Sequence, residues 1–330
     1  MIIKKIMLTL LSLILLIGCT AQQAEKPVIK IGVIASLTGI GAYQGQQELK
    51  GLELAKEAIN TRGGIKGRLI ELQVEDSKTE PSSAVTVAQK LISMNVKGII
   101  GDSWTSTTAV FVPVTNKAEM IVISPLATLD SLAQDDYFFR TMPNTQSMMN
   151  RLADYSYEQG IQTVGIIRQE SPFGVEHAKD FQARFEGLGG NIIGEETADI
   201  KSTDLRTELL KIKEKNPDAI LNLHATTLVG LVLKQGQEIG ISARWISSFG
   251  AETSGLLNEY KEYAEGLTYV YPYDSRQESK ASTEFRESYL TKYNEFPENT
   301  AANSYDALML LATALEQGTD SQTIKQSLLS

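Results

Sequence analysis

The chain has 330 residues, 42% of them hydrophobic, and a formal net charge of −9 from 31 basic and 40 acidic side chains. That length accommodates two domains of about 100 to 200 residues with a core each, and the acidic balance argues against a nucleic-acid partner. The single cysteine, Cys19, excludes an intrachain disulfide, and one cysteine with two histidines makes no cluster of metal-ligand spacing, so neither a metal nor another cofactor is expected.

Met1 to Gly18 opens with Lys4 and Lys5, runs apolar from Ile6 to Ile17, and leads into Cys19. The run is too short for a transmembrane span and fits the core of a secretory signal. Leu16-Ile17-Gly18-Cys19 resembles a bacterial lipobox, so residues 1–18 are expected to leave as a lipoprotein signal peptide and Cys19 to carry lipid; a plain signal or an uncleaved anchor is the alternative. Residues 19–27 then read as a polar tether, and loss of two lysines takes the charge to 29 − 40 = −11. The expectation is an exported protein held by its lipid at the periplasmic or extracellular face of a cell membrane.

From Val28 onward, short β-like runs alternate with amphipathic helices, which predicts parallel sheets covered by helices, an α/β fold. Strands over 29–35, 68–76, 96–100 and 120–124 alternate with helices over 46–61, 82–94 and 105–118. These steps predict one doubly wound domain. The extended segment Phe138 to Pro143 breaks the rhythm and reads as a crossover, after which the rhythm restarts with helices over 146–159, 174–188, 203–215 and 228–239 and strands over 163–167, 191–195, 219–223, 245–248 and 266–270. Tyr271 to Ser275 reads as a second crossover, returning helices 279–294 and 300–317 to the first lobe. The predicted division is therefore 28–141 with 274–330 for the N-terminal lobe and 142–273 for the C-terminal lobe, with a ligand cleft at the strand C-terminal ends.

The junction Lys97-Gly-Ile-Ile-Gly-Asp-Ser-Trp-Thr-Ser-Thr-Thr108 joins a buried strand to a helix through a run of hydroxyl side chains. A helix N-terminus carries unpaired N–H groups and partial positive charge, so with these hydroxyls it can hold a carboxylate or phosphate without lysine or metal. The bland alternative is that Ser103 or Thr105 merely caps the helix. Trp104 either stacks on a ligand or covers the strand end. Gly101-Asp102-Ser103 also resembles the nucleophile block of Gly-Asp-Ser hydrolases, but those need an Asp-x-x-His, and His177 and His224 are preceded at that spacing by Gly174 and Leu221. Gly39-Ile-Gly-Ala-Tyr-Gln-Gly45 approaches a dinucleotide fingerprint with its third glycine one residue late. Asp76, Glu80 and Glu170 read as solvated loop residues.

Over nearly all of the mature chain the residues resemble the type I periplasmic substrate-binding proteins of ABC transporters, branched-chain amino-acid (Leu/Ile/Val) group. The resemblance is carried by Ile29-Lys-Ile-Gly-Val-Ile-Ala-Ser-Leu-Thr-Gly39, Gly51-Leu-Glu-Leu-Ala-Lys-Glu-Ala-Ile-Asn60, Gly63-Gly-Ile-Lys-Gly-Arg68, Ile123-Ser-Pro-Leu-Ala-Thr128 and Phe139-Arg-Thr-Met-Pro143. It implies a Venus-flytrap architecture, no enzymatic activity, a monomer, and delivery of a captured solute to an ABC permease. A receptor-coupled ligand sensor is the other reading of the same clamp.

The resemblance also implies a carboxylate clamp at Thr105, Ser106 and Thr128, with Leu126 in the same segment as Thr128. The family's first-lobe cleft tyrosine falls at Tyr43 or Gln44. In the second lobe its tyrosines correspond to Phe173 and to Ala225, beside His224. The acid that receives a ligand ammonium falls at Phe249, with Glu252 three residues on. These departures point to a small carboxylate, an amino acid or a related aliphatic or aromatic acid, in which an α-amino group is not the main handle. The resemblance further implies a third crossover beyond Ser330; the segment after Gly318 reads as polar.

Overall fold

The computed structural model describes residues 28–134, 136–225, 227–251, 253–274 and 276–330. The signal, the tether with Cys19, and Glu252 lie outside the described residues. No described helix is long and apolar enough to cross a membrane.

The first sheet contains β1 (Ile29–Ala35), β2 (Ile70–Asp76), β3 (Ile99–Gly101), β4 (Val122–Ser124) and β5 (Phe138–Arg140), in the order β2-β1-β3-β4-β5 with parallel pairing. The second contains β6 (Thr163–Gln169), β7 (Asn191–Ala198), β8 (Ala219–Leu223), β9 (Arg244–Ser247) and β10 (Thr268–Tyr269), in the order β10-β9-β8-β6-β7, again parallel. Strand order reverses between β1 and β3 in one sheet and between β6 and β8 in the other. Those are the switch points where the loops part and leave a crevice beyond the strand ends.

Helices cover both faces, so the central strands are apolar on both sides. In β1, Ile31 and Val33 pack with Leu52, Leu308 and Leu311, whereas Ile34 joins Leu91, Ile99 and Phe111 on the opposite face. The covering helices of the first part are α1 (Ala42–Thr61), α2 (Pro81–Ser93) and α3 (Thr105–Lys117). Those threaded through the second sheet are α4 (Thr145–Glu158), α5 (Pro172–Gly187), α6 (Arg206–Lys213), α7 (Thr227–Glu238) and the short α8 (Ser254–Glu259). After β10 come α9 (Lys280–Tyr293), α10 (Asn299–Leu315) and α11 (Ser321–Leu329). Leu308, Leu311 and Ile324 are buried in the same cluster as β1, so α10 and α11 complete the core of the first sheet.

Three expectations need correction. Phe138–Arg140 is a fifth strand of the first sheet, hydrogen-bonded in register with Val122–Ser124, and not only a crossover. The polar segment after Gly318 is a helix: Asp320 accepts from the Thr323 N–H at 3.0 Å, and Ile324 supplies its one fully buried anchor. The first helix starts at Ala42, before the expected Gln46, which puts Tyr43 and Gln44 in its first turn.

α1 and α10 approach so closely that a Cβ at Gly51 would stand 2.1 Å from the Ala301 carbonyl oxygen. Gly51→Ala should therefore push the two helices apart and cost about 1 to 3 kcal/mol in urea unfolding. Gly187→Ala, at a helical position with nothing within 4 Å, serves as the control and should be neutral or stabilising by up to about 1 kcal/mol. Equal effects of the two changes would show that the approach at Gly51 does not constrain the fold.

Candidate ligand-binding site

Beyond the strand ends of the two sheets lies a cavity of about 280 Å³. From the first sheet's side it is lined by Gln44, Ser103, Trp104, Thr105, Ser106 and Leu126. From the second it is lined by Gln169, Glu170, Phe173, Ala225, Phe249 and Thr253. Tyr271, Lys201 and the first turn of α10, Glu298 to Thr300, complete the wall.

The chemistry of the first wall follows from how α3 begins. Its N-cap position is Trp104, and no side chain caps it. Neither Ser103 nor Thr105 acts as the cap, and the Ser103 N–H and hydroxyl both donate to Glu48 Oε2, at 3.0 and 2.5 Å. Thr107 and Thr108 turn their hydroxyls inward, to Asp102 Oδ2 at 2.9 Å and to the Asp102 carbonyl at 3.0 Å. The first-turn N–H groups of a helix have no intrahelical acceptor, so those of Thr105 and Ser106, with their two hydroxyls, remain as donors at the cavity wall. Such a set binds an anion through charge-assisted hydrogen bonds and the helix dipole.

Beneath that turn lies a buried carboxylate pair. Asp102 accepts from Ser36 Oγ at 3.1 Å, Ser77 Oγ at 2.5 Å, Thr107 Oγ1 at 2.9 Å and the Trp104 N–H at 3.1 Å. Glu48 has only Ser103 as a donor, and its Oε1 is unpartnered among the described residues. Burial, and then the neighbouring charge of Asp102, push Glu48 well above the usual carboxylate range. Burial lifts Asp102 to about 6 against the lowering effect of its four donors. With donors from four residues against one, Asp102 is the better solvated of the pair, and Glu48 is the one that burial pushes more strongly towards its neutral form. Sequence reasoning missed Glu48, although its signal was there: it stands on the stripe Glu48, Leu52, Ala55, Ile59 that a helix turns to its core.

The opposite wall is aromatic. Phe173 and Phe249 meet edge to face, with centroids 5.8 Å apart at 86°. His177 lies behind Phe173, centroid to centroid 3.9 Å, and its Nδ1–H donates to the Phe173 carbonyl oxygen at 2.8 Å. Ser171 caps α5 by accepting from the Gly174 N–H at 3.2 Å, which fixes where Phe173 projects. The side-chain oxygens of Gln44 and Gln169, one on each wall, have no partner among the described residues.

Several predicted positions fall elsewhere. The Tyr43 hydroxyl donates to Glu298 Oε1, so Gln44 and not Tyr43 faces the cavity. Thr128 does not line it: the residue is fully buried, its carbonyl accepting from Arg140 Nη1 at 2.6 Å and Thr145 Oγ1 at 3.1 Å. His224 is neither a surface residue nor a lining one, since it packs under the wall with Nδ1 2.8 Å from Asn222 Oδ1. Glu170, expected in a solvated loop, borders the cavity mouth, and the second wall is therefore not free of carboxylates. Ser103 has a carboxylate and not a histidine as its hydrogen-bond partner, so the Gly-Asp-Ser arrangement is not that of a serine–histidine hydrolase.

Two parallel α/β lobes with an uncapped helix terminus facing an aromatic wall across a cleft fit a solute-binding protein, and residues 28–328 match the family model described as periplasmic binding protein. The chain belongs to that family. It is similar to the Leu/Ile/Val-binding protein of Escherichia coli (strain K12), 26% identical over 321 residues that cover 95% of this chain and 87% of the relative. Among solved structures it is similar to the branched-chain amino acid transporter substrate binding protein of Streptococcus pneumoniae in complex with isoleucine, at TM-score 0.85 and 29% identity over 92% of this chain and 88% of that one. It also shares the fold of an R. palustris ABC transporter solute binding protein in complex with benzoate, at TM-score 0.84 and 20% identity, covering 92% and 85% of the two chains.

Burial pushes His177 down to about 3 and His224 to about 4, against about 6.5 in an unfolded chain. The folded state therefore binds these protons less readily. Their contribution to stability is complete above about pH 6.5 and is lost as pH falls towards the folded values. Asp102 has the opposite sign, its stabilising contribution fading as pH rises through about 6. His224→Asn, which can still donate to Asn222, should lose less stability than wild type between about pH 6.5 and 4.5, by on the order of 2 kcal/mol in urea unfolding. Equal losses in both proteins would mean that His224 is not held neutral in solution.

Proposed function

We propose that the protein captures a small carboxylate-bearing solute, an amino acid or a related aliphatic or aromatic acid, between two lobes and delivers it to an ABC permease. The lobes are read as 28–141 with 274–330, and 142–273, hinging at the segments around Pro143 and Tyr271. The observation that carries this reading is the uncapped start of α3 at the cavity wall, where Thr105 and Ser106 offer donors opposite Phe173 and Phe249. Neutral donors suffice for a carboxylate, each charge-assisted hydrogen bond contributing about 1.5 to 3 kcal/mol. The apolar body of the ligand lies against Trp104, Leu126, Phe173 and Phe249. Phe249 stands where an acid would receive an α-ammonium, so the amino group contributes less than the carboxylate; what acceptors exist are the amide oxygens of Gln44 and Gln169 and the carboxylates of Glu170 and Glu298.

A thermal-shift panel of paired compounds tests this, with leucine against 4-methylpentanoate and phenylalanine against 3-phenylpropionate. A ligand at about 100 times its dissociation constant adds about 2.7 kcal/mol of stability. The deaminated partner should stabilise at least as well as the amino acid, and Thr105→Ala or Ser106→Ala should weaken both members of a pair by about tenfold or more. Strong stabilisation by leucine with none by 4-methylpentanoate would overturn the argument from Phe249.

Membrane attachment through Cys19 and a monomeric state belong to the same proposal, the anchor keeping the protein at the membrane face near its permease. Support comes from the apolar run that ends at a lone cysteine. Cells fed a labelled fatty acid should yield labelled wild-type protein, and Cys19→Ser should release it into the soluble fraction. Unlabelled protein that stays with the membrane in both cases would sink the lipid anchor.

A further inference from the structure

We propose that Asp102 is a specificity-determining residue of the anion subsite, whose buried charge limits carboxylate affinity and makes capture take up a proton. The inference rests on reading the start of α3 as the carboxylate subsite. Asp102 already occupies the place of an anion at that helix terminus: Oδ1 takes the Trp104 N–H, and Oδ2 takes the Thr107 hydroxyl from the first turn. A ligand carboxylate on Thr105 and Ser106 is thus a second negative charge on one helix N-terminus, less than a helical turn from the first. Repulsion between them is lowest when Asp102 is protonated, and by reciprocity the ligand raises the proton affinity of Asp102.

Among the described residues no positive charge touches the pair. Around it stand Ser36 from the end of β1, Ser77 after β2, Ser103 and Thr107 at the start of α3, and Glu48 from α1. Among the described residues neither carboxylate has a lysine, arginine or histidine in hydrogen-bond or salt-bridge contact. The charged residues of the cavity wall are Glu170, Lys201 and Glu298, none of them in contact with Asp102. Burial lifts Asp102 to about 6, which places its titration where free carboxylate ligands are fully ionised. Both histidines, at about 3 and about 4, stay neutral across that range. Glu176 and Asp180 on α5 are also raised by burial, but they face Asp130 on the far side of the loop after β4. Burial and the neighbouring charge of Asp102 raise Glu48 as well, so it is the second group that could exchange a proton, and the variants below separate the two.

The test is calorimetric titration of the full chain with 4-methylpentanoate and 3-phenylpropionate at about pH 6, in two buffers of different ionisation enthalpy, with affinities followed from about pH 5.5 to about pH 8. Wild type should take up a fraction of a proton and weaken by roughly tenfold across the range, the effect expected of a unit charge within a helical turn in a protein-like dielectric. Asp102→Asn should abolish the uptake and bind more tightly than wild type at about pH 8 but not at about pH 5.5. Glu48→Gln should keep the wild-type proton uptake. Absence of proton uptake in wild type overturns the inference without recourse to a variant, as does uptake that survives in Asp102→Asn. If no carboxylate binds at any pH, the functional reading fails instead.

Discussion

A helix that begins without a side-chain cap has to find acceptors for its first N–H groups, and in this protein that requirement organises the ligand site. The residues that could cap α3 are engaged elsewhere: Ser103 with Glu48, Thr107 and Thr108 with Asp102 and the Trp104 carbonyl. What remains open is a short set of donors at Thr105 and Ser106, presented by β3 at the switch point of its sheet. The position of the site follows from strand order, and its chemistry follows from which hydroxyls are already committed.

The two walls of the cavity are built to different rules. The first is polar, with Ser103 and Thr107 held by two buried carboxylates on either side of the open donors of Thr105 and Ser106. The second is apolar and shape-bearing, with the rings of Phe173, Phe249 and His177 packed against one another. A neutral His177 suits this role, because its Nδ1–H anchors the Phe173 carbonyl while the rest of the ring acts as packing surface. Hydroxyl and N–H donors line one wall and aromatic rings the other.

Long-period features of the fold were legible in the sequence, and short-range exceptions were not. The alternation of runs such as Ile29–Ala35 with helical stripes marks buried parallel strands, since both faces of each strand must be apolar. Phe138–Arg140 escaped as a strand because no α-helix separates it from β4, only the short turn Asp130–Leu132, so it breaks the strand–helix rhythm, and Ser321–Leu329 escaped as a helix because a single buried residue, Ile324, marks its core face. At the site, residue types at strand ends pointed to a junction that lines the cavity, whereas Tyr43, Thr128 and His224 are not among its lining residues. Which face a side chain takes within one helical turn depends on partners such as Glu298 and Asn222, and those are distant in sequence or invisible to periodicity. Glu48 was overlooked for the complementary reason: a charged residue on an apolar stripe reads as noise until Asp102 and Ser103 are seen beside it.

Thr128 shows how a residue outside the cavity still matters to it. Its carbonyl is held by Arg140 and Thr145, and two residues on, the Asp130 N–H donates to Glu176 Oε1 at 3.1 Å. Glu176 sits on α5, one turn beyond Phe173, so the loop that carries Leu126 is tied directly to the helix that carries the aromatic wall. Arg140, pushed down by burial and held up by Asp130 and Glu176, supplies the positive charge that lets those two carboxylates approach. Separating the lobes would have to break the Asp130–Glu176 hydrogen bond and leave Arg140 with fewer partners. The link therefore favours the arrangement in which Leu126 and Phe173 line one cavity, and it does so from positions outside that lining.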